Sequence, residues 1–293
     1  RKGLHHEALF WFGQALRKDR TSIQALLGKG FALGKLGRYD EEIRICDRVL
    51  ELDPRSVDAW LQKGFAFGKQ GRFEDRIACC DQALEIDPNC AEAWNLKGHA
   101  LGKLGKWDAE LECCTNATIL RPRYIGAWVN RGYALVQLKR YPEAISSFNH
   151  ALRIYPDYCT AWINMGIAHA LSGQHERAVA CLERAESLCT VGSRILYWKG
   201  LSLSKRGMYR EAIECLSRVI AEDPNHADAW VIMSNCHFML GNLDESGRCF
   251  MVAYGIDKND IRELVSRGIT TMRQGNRREA LECLSGVFGI LLR

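Results

Sequence analysis

The chain has 293 residues, of which 47% are hydrophobic and 26% are charged, and its formal net charge is +5. Its 40 basic and 35 acidic residues are spread along the sequence, which excludes the clustered basic excess of a nucleic-acid-binding domain. No apolar run approaches the roughly 18 residues of a membrane helix, and the first residues lack the apolar core of a signal peptide. We therefore expect a soluble, cytoplasmic protein that binds neither nucleic acid nor membranes.

A fixed period of 34 residues organises the sequence. Tryptophan marks this period at Trp60, Trp94, Trp128, Trp162 and Trp230. Glycine marks it at Gly30, Gly64, Gly98, Gly132, Gly166, Gly200 and Gly268. Proline marks it at Pro54, Pro88, Pro122, Pro156 and Pro224. Such a period predicts a stack of repeated supersecondary units, each too small to bury its own apolar face.

Each period predicts two antiparallel helices. An apolar pattern with the helical spacing runs from Ala93 to Leu104, and a second one runs from Trp107 to just before Pro122. Proline cannot continue a helix, so it separates one hairpin from the next. In length and in the order of Trp, Gly, aromatic residue and Pro, the repeats resemble the tetratricopeptide family. The resemblance covers the whole chain and implies an all-α fold, a right-handed α-solenoid of stacked helical hairpins.

In chain order, residues 1–22 are predicted to be the second helix of a truncated repeat. Eight repeats follow in one continuous solenoid domain, at 23–56, 57–90, 91–124, 125–158, 159–192, 193–226, 227–260 and 261–293. A solenoid needs polar caps at its ends, but both ends of this sequence are apolar. We expect the apolar residues at the two ends to lack neighbours, and these are Leu4, Leu9, Phe10, Phe12, Leu16, Leu281, Leu284, Val287, Phe288, Ile290, Leu291 and Leu292. We expect a longer parent chain or end-to-end self-association, with a harmless frayed terminus as the alternative.

The first three repeats differ from the others at two positions. Each has a second glycine in its first helix, at Gly34, Gly68 and Gly102. Each also has a charged residue where the family prefers alanine, at Glu42, Arg76 and Glu110. We predict that these charges alternate in a ladder between neighbouring repeats, in the space that the glycines leave. The alternative is that all three side chains reach solvent.

The sequence offers no clear centre for catalysis. It contains no nucleophile elbow, phosphate-binding loop or zinc-protease motif. Its 13 cysteines mostly recur at equivalent repeat positions and form no C-x-x-C pair, which favours reduced thiols that pack as small hydrophobic groups. His169 and His175 occupy positions that pack helix against helix within a hairpin. We expect no enzyme activity, no metal and no cofactor, and a thiol redox or metal-binding protein is the less favoured reading.

The resemblance places the ligand-binding surface on the first helices of the repeats, which line the concave groove in this family. The residues at the family's ligand-contacting positions are Leu27, Phe31, Leu61, Phe65, Asn95, His99, Val129, Asn130, Tyr133, Ile163, Asn164, Ile167, Tyr197, Trp198, Leu201, Val231, Asn235, Phe238, Ile269 and Met272. Such apolar and aromatic side chains suit a hydrophobic peptide or helix of a partner protein. Packing of these residues against one another is the alternative.

Two smaller features of this surface bear on the ligand. Asn130 and Asn164 hold the same position in adjacent repeats, as in the asparagine ladders of some tetratricopeptide grooves, where amides bond to the ligand backbone. Lys35, Lys69 and Lys103 form a basic row that could contact an acidic ligand or be solvated. We predict a non-catalytic scaffold for protein–protein interactions, whose partner the sequence does not identify. The alternative is the substrate-recognition arm of a larger enzyme.

Overall fold

The computed structural model describes residues 2–190, 192–254 and 270, and the regular structure within these residues is α-helical. The chain divides into two compact units, one ending at Asn164 and the other beginning at Met165. The helices before this division are α1 (Lys2–Lys18), α2 (Ile23–Lys35), α3 (Tyr39–Leu52), α4 (Val57–Lys69), α5 (Phe73–Ile86), α6 (Ala91–Lys103), α7 (Trp107–Leu120), α8 (Ile125–Gln137) and α9 (Tyr141–Ile154). Helix α10 (Cys159–Leu171) contains the division, and α11 (His175–Leu188), α12 (Ser193–Lys205), α13 (Tyr209–Glu222), α14 (Ala227–Met239) and α15 (Leu243–Tyr254) follow it.

The turn inside each hairpin depends on one residue with left-handed backbone angles. Gly37 has a φ of 78°, and the amide of the next residue, Arg38, donates to the carbonyl of Leu33 at 3.0 Å. This bond closes the end of α2, and glycine adopts the required angles without a Cβ penalty. The equivalent residue between α8 and α9 is Lys139, which has a φ of 59° although it has a Cβ.

The periodic glycines of the first helices allow the two helices of a hairpin to approach closely. A Cβ on Gly132 would lie 2.5 Å from the ring of Phe148, which is fully buried on α9. A Cβ on Gly98 would lie 2.9 Å from Cys114 Sγ and 3.1 Å from Cys113 Cβ. Real Cβ contacts at such distances are strained, so alanine would push the helices apart.

The tryptophans and prolines of the period are joined by the same hydrogen bond in five repeats. The indole Nε1 of Trp128 donates to the carbonyl oxygen of Pro122 at 2.8 Å, and this bond fastens the start of α8 to the turn before it. The same bond joins Trp60 to Pro54, Trp94 to Pro88, Trp162 to Pro156 and Trp230 to Pro224. Where leucine replaces tryptophan, at Leu26, Leu196 and Leu264, the proline is also replaced, by Arg20, Thr190 and Lys258. The two residue types therefore mark one turn-fastening contact.

Small apolar clusters between neighbouring hairpins form the core of each unit. In the unit that ends at Asn164, Leu26, Val49 and Ala59 are buried together and join three helices. In the unit that begins at Met165, the corresponding residues are Leu196, Leu216, Val219, Ile220, Ala229, Met233 and Cys249. In both clusters a hairpin buries its apolar face against the next hairpin of the same unit, as expected for a repeat protein.

At the start of the chain, α1 has both packed and exposed apolar side chains. Leu4, Phe10 and Trp11 are 69%, 58% and 61% exposed. The expectation that Phe12 and Leu16 lack neighbours was wrong, because the Phe12 ring lies against Gly28 and Leu16 packs on the core around Leu26. The apolar residues expected at the other end lie outside the described residues. Among the helices the structure describes, none is long and apolar enough to cross a membrane.

Most of the described cysteines are buried thiols. Burial raises the pKa of Cys46 and of Cys80 to about 12, so both are neutral and pack as small apolar groups. The expectation of reduced thiols was wrong for Cys159 and Cys189, neither of which is a free thiol. In the part of the chain that the structure describes, no group of three His, Cys, Asp or Glu side chains could hold a metal ion.

Candidate functional site

The first helices of four successive repeats lie side by side in the unit that ends at Asn164. Helix α2 contacts α4, α4 contacts α6, and α6 contacts α8. The second helices lie on the other side, where α3 contacts both α2 and α4. We call the surface made by α2, α4, α6 and α8 the groove face. It holds two cavities, each containing a buried carboxyl group.

The first cavity, here the Glu42 cavity, has a volume of about 410 Å³. It is lined by Phe31, Gly34, Lys35, Glu42, Asp58, Leu61, Gln62, Phe65, Glu92, Leu96 and Tyr124. It brings together three of the residues expected to bind a ligand, namely Phe31, Leu61 and Phe65. Leu61 also packs on a core cluster, so the expected groove residues partly support the fold.

The second cavity, here the Glu110 cavity, has a volume of about 320 Å³. It is lined by His99, Gly102, Lys103, Trp107, Glu110, Val129, Asn130, Tyr133, Thr160 and Asn164. Five of these were expected from the sequence: His99, Val129, Asn130, Tyr133 and Asn164. Tyr133 is 37% exposed and meets Trp107 edge-on, with 5.9 Å between ring centroids. The aromatic wall is therefore accessible from outside the cavity.

Each buried carboxyl group occupies the space that a glycine leaves. A Cβ on Gly34 would overlap the carboxyl group of Glu42, and a Cβ on Gly102 would overlap that of Glu110. Both glutamates are only 2% exposed, and in each the Oε2 atom has no hydrogen-bond partner. The second glycine of these helices thus makes room for the acid on the facing helix of the same hairpin.

The predicted charge ladder between repeats was wrong, and so was its solvated alternative. Arg76 is 7% exposed and lies against Gly68 in its own hairpin. Its Nη1 atom lies 3.3 Å from Nδ1 of His99, and its Nε atom has no partner. Among the described residues, Arg76 forms no ion pair with Glu42 or Glu110. Each charged side chain lies against the glycine of its own hairpin, and Arg76 also contacts His99 of the next repeat.

Burial shifts the protonation of these groups. Removal from water raises the pKa of Glu42 to about 7 and that of Glu110 to about 8, although Lys35 and Lys103 partly oppose the shifts. Burial, and then the charge of Arg76, lowers the pKa of His99 to about 4. The groove face therefore contains two carboxyl groups that change charge near neutral pH and a histidine that stays neutral there.

The asparagines of the groove face form a chain of hydrogen bonds. The Nδ2 atom of Asn130 donates to Oδ1 of Asn95 at 3.0 Å, and Nδ2 of Asn95 donates to the hydroxyl of Tyr124 at 3.1 Å. Asn130 and Asn164 line the same cavity, but the bond that orients Asn130 comes from the preceding repeat. Asn95 is 8% exposed, which suits an orienting role.

Two lysines of the row, Lys35 and Lys69, lie over aromatic rings of their own helices. Lys35 Nζ is 4.9 Å from the ring centroid of Phe31, and Lys69 Nζ is 5.3 Å from that of Phe65. Such cation–π contacts keep the ammonium group near the ring face. Lys35 lines the Glu42 cavity and Lys103 lines the Glu110 cavity, so each cavity has one lysine beside its buried acid.

Comparison with protein-family models identifies the repeat. Models described as tetratricopeptide repeat match residues 23–56, 57–90, 79–112, 123–190 and 203–260. The chain belongs to the tetratricopeptide repeat family. A search of curated proteins finds no significant match. The family assignment and the all-α repeat fold confirm the resemblance read from the sequence.

Solved tetratricopeptide structures share this fold. YrrB, described as a TPR protein with an unusual peptide-binding site, is 20% identical and has a TM-score of 0.52, covering 64% of this chain and 97% of its own. The pilF structure of Pseudomonas aeruginosa is 17% identical with a TM-score of 0.65, covering 72% and 96%. PilW, described as a type IV pilus biogenesis factor, is 21% identical with a TM-score of 0.60, covering 66% and 90%. At these identities, the likeness shows the fold alone.

The other residues of this tetratricopeptide protein that were expected to contact a ligand are buried to different degrees. Tyr197 stacks on His226 with 4.8 Å between ring centroids, packs on the core around Leu216, and meets Trp198 edge-on at 5.5 Å. Ile167 is buried, and Leu27 packs on the core around Leu26. Ile163, Leu201, Val231 and Phe238 are half-buried, and Asn235 is exposed. Ile269 and Met272 lie outside the described residues.

Several polar residues that line the two cavities are not at the positions expected from the sequence to bind a ligand. Glu42 and Glu110 were assigned to a structural ladder, while Asp58, Gln62 and Glu92 were not singled out. The sequence contains a signal for the two buried glutamates. A second glycine in the first helix, together with a charged residue at an alanine position of the second helix, indicates a space that the long side chain enters. The tetratricopeptide pattern alone does not show whether that side chain turns toward the groove or toward the next repeat.

Proposed function

We propose that this protein is a non-catalytic scaffold that binds a peptide segment of a partner protein along the groove face. Tetratricopeptide repeats support a role in protein interaction in general, and we assign that role to the groove face. The observation that carries the proposal is the pair of cavities, about 410 and 320 Å³ in volume, beside exposed aromatic side chains. Phe31 and Tyr133 are 51% and 37% exposed there, and exposed aromatic anchors of this kind dominate interface energies.

The asparagine chain supports a peptide as the ligand. Asn130 borders the Glu110 cavity and is held by Asn95. An oriented amide can exchange hydrogen bonds with a peptide backbone whatever the side chains are. The fold is also that of YrrB, which is described as having a peptide-binding site.

A selection experiment tests the proposal. A displayed library of random peptides is selected on the full chain, and the dissociation constants of the best peptides are measured by fluorescence anisotropy. We expect Phe31→Ser and Tyr133→Ser each to weaken binding by about tenfold or more, as loss of an aromatic anchor does. Ile119→Ser is the matched control, because Ile119 is 69% exposed on α7, a second helix. Equal losses in all three variants would contradict the proposal.

We also propose that α1 can mediate end-to-end self-association. Leu4, Phe10 and Trp11 are exposed, and the rings of Phe10 and Trp11 meet edge-on with 5.3 Å between centroids. Exposed apolar surface of this kind indicates a contact site. Light scattering after size exclusion, at increasing protein concentration, measures this association. A constant monomer mass up to high concentration would contradict it.

A further inference from the structure

The Glu42 cavity contains more hydrogen-bond acceptors and negative charges than the protein itself pairs. Glu42 Oε2 and Gln62 Oε1 are both buried without a hydrogen-bond partner. The carboxyl groups of Asp58 and Glu92 line the same cavity from exposed positions. The lysine of the cavity, Lys35, lies over the ring of Phe31. A buried carboxyl without a partner is costly, so it marks a place where an added donor would be stabilised.

We propose that the Glu42 cavity receives a basic side chain, lysine or arginine, of the partner peptide. The Glu42 and Gln62 side chains would turn toward the cavity, because their unpartnered oxygens Oε2 and Oε1 are buried, and the ligand's cationic head would then donate to both oxygens. The apolar side chains of Leu61, Phe65 and Leu96 would pack along its aliphatic stem. The inference rests on the proposed peptide-binding function and adds the chemistry of one side chain.

The charges around the cavity favour a cation over an anion or an apolar group. Three carboxyl groups, those of Glu42, Asp58 and Glu92, line it against one ammonium group. Burial disfavours the charged form of Glu42 and raises its pKa to about 7. A cation in the cavity would stabilise that charged form. A long apolar side chain would instead leave both buried oxygens unpaired. An acidic side chain would add a fourth negative group.

The Glu110 cavity provides an internal comparison. Glu110 has the same repeat position, the same facing glycine and the same unpartnered Oε2 atom. Among the residues that line its cavity, however, Glu110 is the single carboxylate, and it faces Lys103 and His99. The variants Glu42→Gln and Glu110→Gln therefore remove equivalent groups, while the proposal assigns a basic ligand to the first cavity alone.

The test uses small probes, so that it does not depend on an identified partner. The full chain is titrated with N-acetyl-arginine N-methylamide while the NMR signals of Phe31, Leu61 and Phe65 are followed. The probe of the same shape without charge is N-acetyl-citrulline N-methylamide. We expect saturable shifts with the arginine probe, at least tenfold weaker binding of the citrulline probe, a tenfold loss in Glu42→Gln and less than a twofold change in Glu110→Gln.

Three results would overturn the inference: equal binding of the two probes, equal losses in the two glutamine variants, or no shift of the cavity signals with either probe. If Glu42→Gln does not fold, the double variant Asp58→Asn and Glu92→Gln replaces it. Both of those residues are exposed, and we expect at least threefold weaker binding of the arginine probe. If that variant bound the arginine probe with unchanged affinity, the inference would be contradicted.

The probe titration and the peptide selection together separate this inference from the proposed function. Selected peptides that bind the groove face without basic residues, with affinity unchanged in Glu42→Gln, would contradict the inference and leave the scaffold function supported. Binding of the arginine probe at the Glu42 cavity, with no peptide recovered by selection, would support the cation site and count against the peptide-binding function.

Discussion

Single glycines decide which side chains of this protein can be buried on the groove side. Gly98 and Gly102 lie four residues apart on α6, and both face α7. Gly98 faces Cys113 Cβ and the backbone oxygen of Glu110, at 3.1 and 3.3 Å from the position of a Cβ. Gly102 faces the end of a flexible side chain, the Glu110 carboxyl group. The two glycines should therefore respond differently to the same substitution.

We predict that Gly98→Ala lowers the free energy of unfolding by about 1–3 kcal/mol, because its neighbours cannot move without shifting α7. In Gly102→Ala the carboxyl group can swing away, and alanine favours the helix by about 1 kcal/mol. The free energy of unfolding should then change by less than about 1 kcal/mol. Urea titration followed by circular dichroism measures both values. Equal destabilisation by the two substitutions would show that the Glu110 carboxyl group is not mobile.

At the scale of the helices, the repeat pattern in the sequence predicted the all-α repeat fold. Tryptophan, glycine and proline specify this fold through local contacts, such as the Trp128–Pro122 hydrogen bond and the left-handed turn at Gly37. The positions of Glu42, Arg76 and Glu110 could not be predicted in the same way. A long side chain can reach either its own hairpin or the next one, and that choice depends on the distances between packed helices.

The hairpin of α8 and α9 contains the exception to the glycine turn. Lys139 has a φ of 59°, whereas the equivalent Gly105 has a φ of 74°. A residue with a Cβ is disfavoured in this region by roughly 1 kcal/mol or more. We predict that Lys139→Gly raises the free energy of unfolding by about 1 kcal/mol, as measured by urea titration. Gly105→Lys is the reciprocal control and should lower it by a similar amount, whereas unchanged stability in both variants would contradict the strain.

At the scale of the whole molecule, buried ionisable groups make stability depend on pH. The folded chain raises the pKa of Glu42 to about 7 and that of Glu110 to about 8, above the ordinary value of 4.5. The folded state therefore binds more protons than the unfolded state between pH 4.5 and about 8. His99, whose pKa is lowered to about 4 from 6.5, has the opposite effect below pH 6.5.

We predict that the free energy of unfolding falls by on the order of 2 kcal/mol from pH 6.5 to 8.0, since both carboxyl groups lose their protons in the folded protein there. The double variant Glu42→Gln and Glu110→Gln should lose most of this fall. Chemical denaturation at several pH values, in buffers of equal ionic strength, measures the difference. A fall of the same size in the double variant would assign the pH dependence to other groups.

The position of each buried glutamate beside a glycine of its own hairpin affects how such a protein can grow by gene duplication. Gly34 and Glu42 lie in one hairpin, and Gly102 and Glu110 lie in another. Recombination that copies a whole hairpin would copy the acid together with the glycine that accommodates it. A ladder of ion pairs between repeats would have been broken at every copied boundary. An acid-bearing repeat of this kind can thus be inherited as a complete part.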